Sequence, residues 1–209
     1  MRQNDRKEMT HQKIVNASIK VFAEKGFEAA SLDEIARVAS IGKGTIYYHY
    51  ASKEDLYCGI IDLAFEQLYA DQVDFIGSES TLEQYLRDRV VQDISFAEKH
   101  PDIFKMIFRG MTHFERSMGD RIRGSLYKYA IVEMDRLHEL RLIPFKPDSE
   151  TEKIFYMIRA IVDSRILHWL MKGQAESMGT DVENLVGMIL GGLERIWKRR
   201  QSEIKTPEY

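Results

Sequence analysis

The sequence holds a single cysteine, Cys58, and only four prolines in 209 residues. One thiol closes no intrachain disulfide and leaves CxxC motifs and zinc ligand sets without members. The six histidines do not compensate, since no two stand at the i,i+3 or i,i+4 spacing of a helical metal pair, so no metal is expected. There is no run of 18 uninterrupted apolar residues to cross a membrane, and no short apolar run with a cleavage site to mark a secretory leader. These absences lead us to expect a cytoplasmic protein with no membrane partner and no cofactor. Phosphate loops, nucleophile elbows and dinucleotide fingerprints are missing too, and no pair of acids stands out, so no residue supports an enzymatic role. Apolar alternation of period two occurs over no useful length, which leaves an all-α fold.

Charge is also in short supply for a nucleic-acid partner. The formal net charge is −3. The first 57 residues carry nine Lys or Arg against eight Asp or Glu, a balance of +1, and the remainder stands at −4. Bulk charge alone would not point to DNA. With 44% hydrophobic residues the chain can bury a substantial core.

Against this background one stretch is dense in signals: SLDEIARVASIGKGTIYYHYASKEDLY, Ser31 to Tyr57. Ser31 and Glu34 have the spacing of a capping box. Leu32, Ile35, Ala36 and Ala39 then fall on one helical face, with Asp33 and Arg37 placed as an i,i+4 pair toward water. Ser40-Ile41-Gly42 allows only a sharp reversal. In the short helix that follows, Ile46 and Tyr50 turn inward with Ile41. Lys43, Gly44, Thr45, Tyr47, Tyr48 and His49 are left on the open side and flank. A core has no use for so many hydrogen-bonding side chains in two turns, whereas a surface that meets phosphates and base edges does. The helix-turn-helix is the motif that places such a helix in the major groove.

KGTIYYHYASKEDL resembles the signature of the TetR/AcrR family of bacterial transcriptional regulators, with the match strong from Ile14 through Ile60. The resemblance implies double-stranded operator DNA as partner, homodimerisation and a small-molecule effector. Carried over position by position, it implies DNA contacts from Ser31, Gly42, Lys43, Gly44, Thr45, Tyr47, Tyr48, His49 and Lys53, with Lys53 on a phosphate. Two positions depart from the family pattern. Ser40 and Gly42 stand as though exchanged, leaving the second helix a weak cap that would lean on DNA or on Ser40. Tyr50 replaces the usual Phe and brings a hydroxyl that needs a partner.

The chain reads in order as a polar, frayed tail over residues 1–8, with DNA backbone or minor-groove contacts from Arg2, Arg6 and Lys7 as the alternative, then an amphipathic helix through Ile14, Ala17, Ser18, Val21 and Phe22 that Gly26 stops, with Phe27 folding back on Phe22. Ser52 with Asp55 starts a helix that continues past the DNA-binding unit through Leu56, Ile60, Phe65 and Leu68. Cys58 within it reads as a buried thiol. Gly77-Ser78-Glu79 breaks the pattern, and further starts are legible at Ser80, Pro101, Ser117, Ser149 and Thr180, giving helices near 81–99, 101–113, 118–140, 150–172 and 181–199. The implied organisation is a helix-turn-helix DNA-binding domain over 1–51 and an effector-binding and dimerisation domain over 52–209, about nine helices in all.

In the second half, Phe96, Phe104, Phe108, Met111, Tyr127, Met134, Arg165 and Trp169 are expected to line an effector pocket, with Arg109, Asp163 and His168 as further polar candidates. The wide stripes of the last two helices, including Ile158, Ile161, Val186, Ile189, Leu193 and Trp197, are expected to build a two-fold dimer seam. Gly187 and Gly191 would allow close approach there. Effector binding would reach the recognition helix through the helix that begins after Ser52. The reading is a ligand-responsive regulator, a repressor in its most direct form. The other readings are a helical adaptor binding only proteins and an enzyme whose pocket lies in the second half.

Overall fold

A computed structural model of the chain describes residues 3–69, 81–111, 116–144 and 146–204. Among the described residues every regular element is helical: α1 (Gln3–Ala29), α2 (Leu32–Ala39), α3 (Lys43–His49), α4 (Lys53–Tyr69), α5 (Leu82–Lys99), α6 (Pro101–Met111), α7 (Arg116–Glu139), α8 (Ser149–Met171), a 3-10 turn (Met178–Asp181) and α9 (Val182–Ile204). None of them is long and apolar enough to cross a membrane. The break expected at Gly77-Ser78-Glu79 and the start at Ser80 lie outside the described residues. The chain forms two compact units, Met1–Gln67 with His100–Leu126 and Leu68–Lys99 with Tyr127–Tyr209. This division differs from a cut between residues 51 and 52, because α6 and the first part of α7 belong with the N-terminal helices.

The first unit is organised around a change of chain direction. Residues 3–8 are helical rather than frayed, and α1 runs on until Gly26, whose φ of 79° and ψ of 170° break it. Glycine enters that region freely because it has no Cβ. The break lets Phe27 stack on Phe22 at 6.1 Å, and the Tyr57 ring packs edge-on to both at 5.0 and 5.3 Å. The Tyr57 hydroxyl donates to the Met106 carbonyl at 2.6 Å, which ties α6 to the same cluster. Ile14, Val21, Phe22, Ile35, Ile46, Leu56, Ile60, Ile61 and Met106 complete the core. Cys58 is buried there, and burial pushes its thiol up, which makes it unreactive.

Two expectations for α2 need correction. The Ser31 hydroxyl does accept from the Glu34 N–H at 3.2 Å, but the Glu34 carboxylate does not reach back. It binds Lys25 at 2.8 Å and Arg37 at 3.6 Å instead. Asp33 therefore pairs not with Arg37 but with Lys43, at 2.8 Å. The inward face of Leu32, Ile35, Ala36 and Ala39 is buried as expected.

In the second unit α8 begins one residue earlier than its Ser-x-x-Glu pattern suggests. Asp148 is the cap, in a full capping box with Thr151, and these hydrogen bonds hold its carboxyl down to about 2. Thr81 caps α5 by accepting from the Gln84 N–H at 3.1 Å. The start expected at Thr180 is replaced by the 3-10 turn, whose approach is fixed by Glu98 accepting from Met178 N–H at 2.9 Å and by Trp169 Nε1 donating to Glu176 O at 2.7 Å.

Ser40 ends α2 in the left-handed region, with φ 55° and ψ 47°. That conformation costs a residue with a Cβ about 1–2 kcal/mol, and glycine's larger entropy loss on folding offsets part of the gain from relieving it. Ser40→Gly is accordingly expected to stabilise the protein by about 0.5–1 kcal/mol in urea denaturation. A lower urea midpoint would contradict the strain at this turn.

Candidate functional site

A seven-residue helix offers one line of side chains to the core, and in α3 that line is Ile46, fully buried, followed by Tyr50 at the C-cap. Lys43, Gly44, Tyr47 and Tyr48 are exposed, the two tyrosines at 52% and 72%, while Thr45 and His49 are half-buried on the flank. Gly42 caps the helix without any side-chain hydrogen bond, so Ser40 does not supply the missing cap. The hydrogen bond to Asp33 raises the Lys43 ammonium pKa, keeping the side chain charged.

The N-terminal part of α1 lies alongside this helix. His11 Nε2 is 2.8 Å from the Tyr50 hydroxyl, which answers the demand created by replacing Phe with Tyr. Burial pushes that hydroxyl up to about 12. The His11 ring lies 5.6 Å from His49, and Lys7 sits over the Tyr48 ring at 5.6 Å. An open cleft is lined here by Asn4, Lys7, Glu8, His11 and His49. Burial, then His11, then Lys7 lower the pKa of His49, leaving a neutral imidazole at pH 7. It can donate an N–H but brings no positive charge. The legible signal for these partners was the spacing of Lys7, His11 and Ile14, four and three apart on one helical face.

Lys53 is placed differently from the expectation. Its ammonium donates to the carbonyls of Phe27 at 2.9 Å, Ala30 at 3.1 Å and Glu28 at 3.3 Å, and it lies 4.3 Å from the centre of the Phe27 ring. An ammonium has three donors, and three carbonyls where α1 ends take them up. In this conformation Lys53 closes the end of α1 and is not free to grip a phosphate. Ser31, by contrast, keeps its hydroxyl proton on an exposed surface while its oxygen caps α2.

The residues expected to line an effector pocket do not gather around one cavity. A cavity of about 70 Å3 lies within the second unit, walled by Leu86, Val90, Ile154, Phe155, Val162 and Ile189 among others. Among the described side chains of the eight expected there, only Met134 lines it. Phe104 and Phe108 belong to α6 of the first unit, where their rings lie 6.0 Å apart. Tyr127 is exposed, Phe96 is half-buried outside the lining, and the Met111 side chain lies outside the described residues. Arg165 is held by Asp181 at 2.6 Å, and Trp169 is occupied by Glu176. Among the polar candidates, Arg109 donates to Glu24 O, Asp163 pairs with Arg159, and His168 is exposed. The missed residues are charged: Arg89, Asp93, Glu133 and Arg159 all line the cavity and all are buried. An enclosed apolar cavity of ~150 Å3 holds benzene, so any ligand larger than a few atoms must widen this one.

Nor do the residues expected at a dimer seam form a surface. Val186, Ile189 and Leu193 are buried within the protomer, and Ile158, Ile189, Leu193 and Trp197 line the cavity; Ile161 is half-buried. The exposed stripe of α8 is Met157, Ala160, Ser164, Leu167 and Met171, and that of α9 is Gly187, Met188 and Gly191.

An amphipathic helix, a left-handed turn and a short helix with an exposed polar and aromatic face define a helix-turn-helix, the architecture of a DNA-binding protein. Residues 14–58 match the family described as bacterial regulatory proteins, tetR family. The helix-turn-helix of this chain is a domain of that TetR family. It is 22% identical over 190 residues to the HTH-type transcriptional regulator AcrR of Shigella flexneri, covering 87% of each chain. It is 34% identical over 64 residues to the biofilm operon negative regulator IcaR of Staphylococcus epidermidis, a match spanning 31% of this chain and 32% of that one. In fold it is similar to the regulator FadR of Bacillus subtilis, solved in complex with stearoyl-CoA, with a TM-score of 0.75 and 17% identity over 87% of this chain and 98% of that one.

The partners of Lys53 generate a prediction. Lys53→Met removes the donors to three carbonyls, those of Phe27 and Ala30 part-buried, and is expected to lower stability by about 1–3 kcal/mol, while the slope of log affinity against log salt for DNA stays unchanged. A slope reduced by about one counterion would return Lys53 to the phosphate backbone.

Proposed function

We propose that the protein is a repressor that binds a palindromic operator as a homodimer and leaves it when a small apolar or amphipathic molecule enters the cavity of the second unit. The observation that carries this reading is the outward face of α3, where two tyrosines are more than half exposed on a helix anchored by a single inward line. Lys43, Gly44 and Thr45 lie at the amino end of α3, where they reach base edges; Lys43 must first exchange Asp33 for DNA. Tyr47, Tyr48, His49 and the hydroxyl of Ser31 take phosphates, joined by Lys7. IcaR, named as a negative regulator, supports repression, and the stearoyl-CoA complex of FadR supports an apolar effector.

The dimer is built from the exposed stripes of α8 and α9. Met171 is 78% exposed and Met188 62%, an arrangement that is costly on a free surface and gains by mutual burial. Gly187 and Gly191 present no side chain and let a second helix approach. A palindromic operator would require the two α3 helices of the dimer to stand roughly 34–36 Å apart, one helical turn of DNA. Release travels through α4, which starts at Lys53 in the first unit and ends at Leu68 and Tyr69 in the second.

Leu167→Arg combined with Met188→Arg is expected to give monomers in sedimentation at micromolar concentration and to weaken operator binding, with unfolding unaffected. A variant that stays dimeric would place the interface elsewhere. The repressor reading itself is tested by a gel-shift titration with the DNA upstream of the chain's own gene, with and without effector. Linkage requires effector and operator to weaken one another by the same factor. Equal effector affinity with and without operator would remove the switch and leave DNA binding standing.

A further inference from the structure

The charged group at the cavity wall is unevenly satisfied. Arg159 is fully engaged, donating to Asp93 at 2.6 Å and to Asp163 at 2.5 Å. Arg89 is not. Its guanidinium is 8% exposed and lies 4.5 Å from the Tyr69 ring centre. Nη1 is 2.8 Å from Asp93 Oδ1 and Nε is 3.4 Å from Glu133 Oε1. Yet neither Nη1 nor Nη2 makes a hydrogen bond, and Glu133 Oε2 is equally buried and equally without one. Buried donors left in this state cost free energy that a suitable acceptor recovers.

The neighbours of Arg89 decide which acceptor. Burial pushes the Glu133 carboxyl up to about 8, so at neutral pH it carries a proton and presents an O–H. With Glu133 neutral, Arg89 and Arg159 are balanced by Asp93 and Asp163, but Arg89 shares Asp93 with Arg159 and has no carboxylate of its own. A cationic ligand finds no unpaired carboxylate here, and a neutral alcohol answers one donor at most. The rest of the cavity is hydrocarbon: Leu86, Val90, Met134, Ile154, Phe155 and Val162.

We infer that the cavity takes a carboxylic acid with an apolar body, its carboxylate received by Arg89 and Glu133 and its body by the hydrocarbon walls. This rests on the reading of the cavity as the effector site and adds the chemical class of the effector. A carboxylate accepts from the Arg89 fork through both oxygens, the geometry in which guanidinium binds best. The site also has a route outward within this unit, since Tyr69, under the Arg89 guanidinium, is the last residue of α4.

The test is calorimetric titration of the full chain with dodecanoate and with dodecan-1-ol below their aggregation limits. Dodecanoate is expected to bind at least about tenfold more tightly, since a hydrogen bond to a charged group has that order of effect. Arg89→Met should abolish the preference and keep the alcohol's affinity, whereas Glu133→Gln, which retains a donor, should keep most of it. Equal affinities in the wild type, a preference surviving Arg89→Met, or binding of neither compound would overturn the inference. The wild-type comparison decides even if Arg89→Met does not fold. DNA anisotropy separates the two readings. If dodecanoate binds with the expected preference but operator stays bound, release fails and the inference stands. If dodecan-1-ol releases operator as well as dodecanoate does, the inference fails and release stands.

Discussion

A helix of seven residues is too short to persist alone in water, because nucleation costs more than two turns return. Everything that α3 presents outward depends on the burial of Ile46 and of the Tyr50 ring, and on the contact of the Tyr50 hydroxyl with His11. This constraint explains the composition of the helix. One inward line holds it, and the remaining positions are free to carry Lys43, Thr45 and two exposed tyrosines.

The same economy governs the support around it. Gly26 breaks α1, the break brings Phe27 to Phe22 and Tyr57, and the carbonyls exposed by the break are answered by Lys53. A cation that meets three carbonyls and one aromatic face is satisfied without an acid. In the second unit the opposite choice is made. Two guanidinium groups and two carboxyls are taken out of water around an apolar cavity, an arrangement that seldom stabilises a core by itself. Such groups persist where recognition needs them.

The fold was largely legible in the sequence. The 3.6-residue stripes of α1, α2 and α8, Pro101 at the first turn of α6 and the missing period-two alternation all carried through. Caps were misread where two patterns overlap by one residue, as with Asp148-x-x-Thr151 and Ser149-x-x-Glu152. The role of Lys53 was illegible because its partners are backbone carbonyls more than twenty residues away, which no side-chain pattern marks. The stripe of Val186, Ile189 and Leu193 was visible, but an apolar stripe does not say whether its own chain or a second one covers it. The cavity was sought through aromatic residues, whose size predicts burial and not location. The better signal lay in two Arg-x-x-x-Asp pairs, Arg89 with Asp93 and Arg159 with Asp163, each set in an otherwise apolar stripe.

The central claim is that the outward face of α3 reads a DNA sequence. It is tested most directly by competing a duplex from the upstream region of the chain's own gene against a scrambled duplex of equal length at fixed salt, for the wild type and for Thr45→Ala. A specific reader is predicted to prefer its own duplex by about 10³-fold or more, with the preference falling by about 1–3 kcal/mol when one base contact is removed. Equal affinity of the wild type for both duplexes would contradict the account.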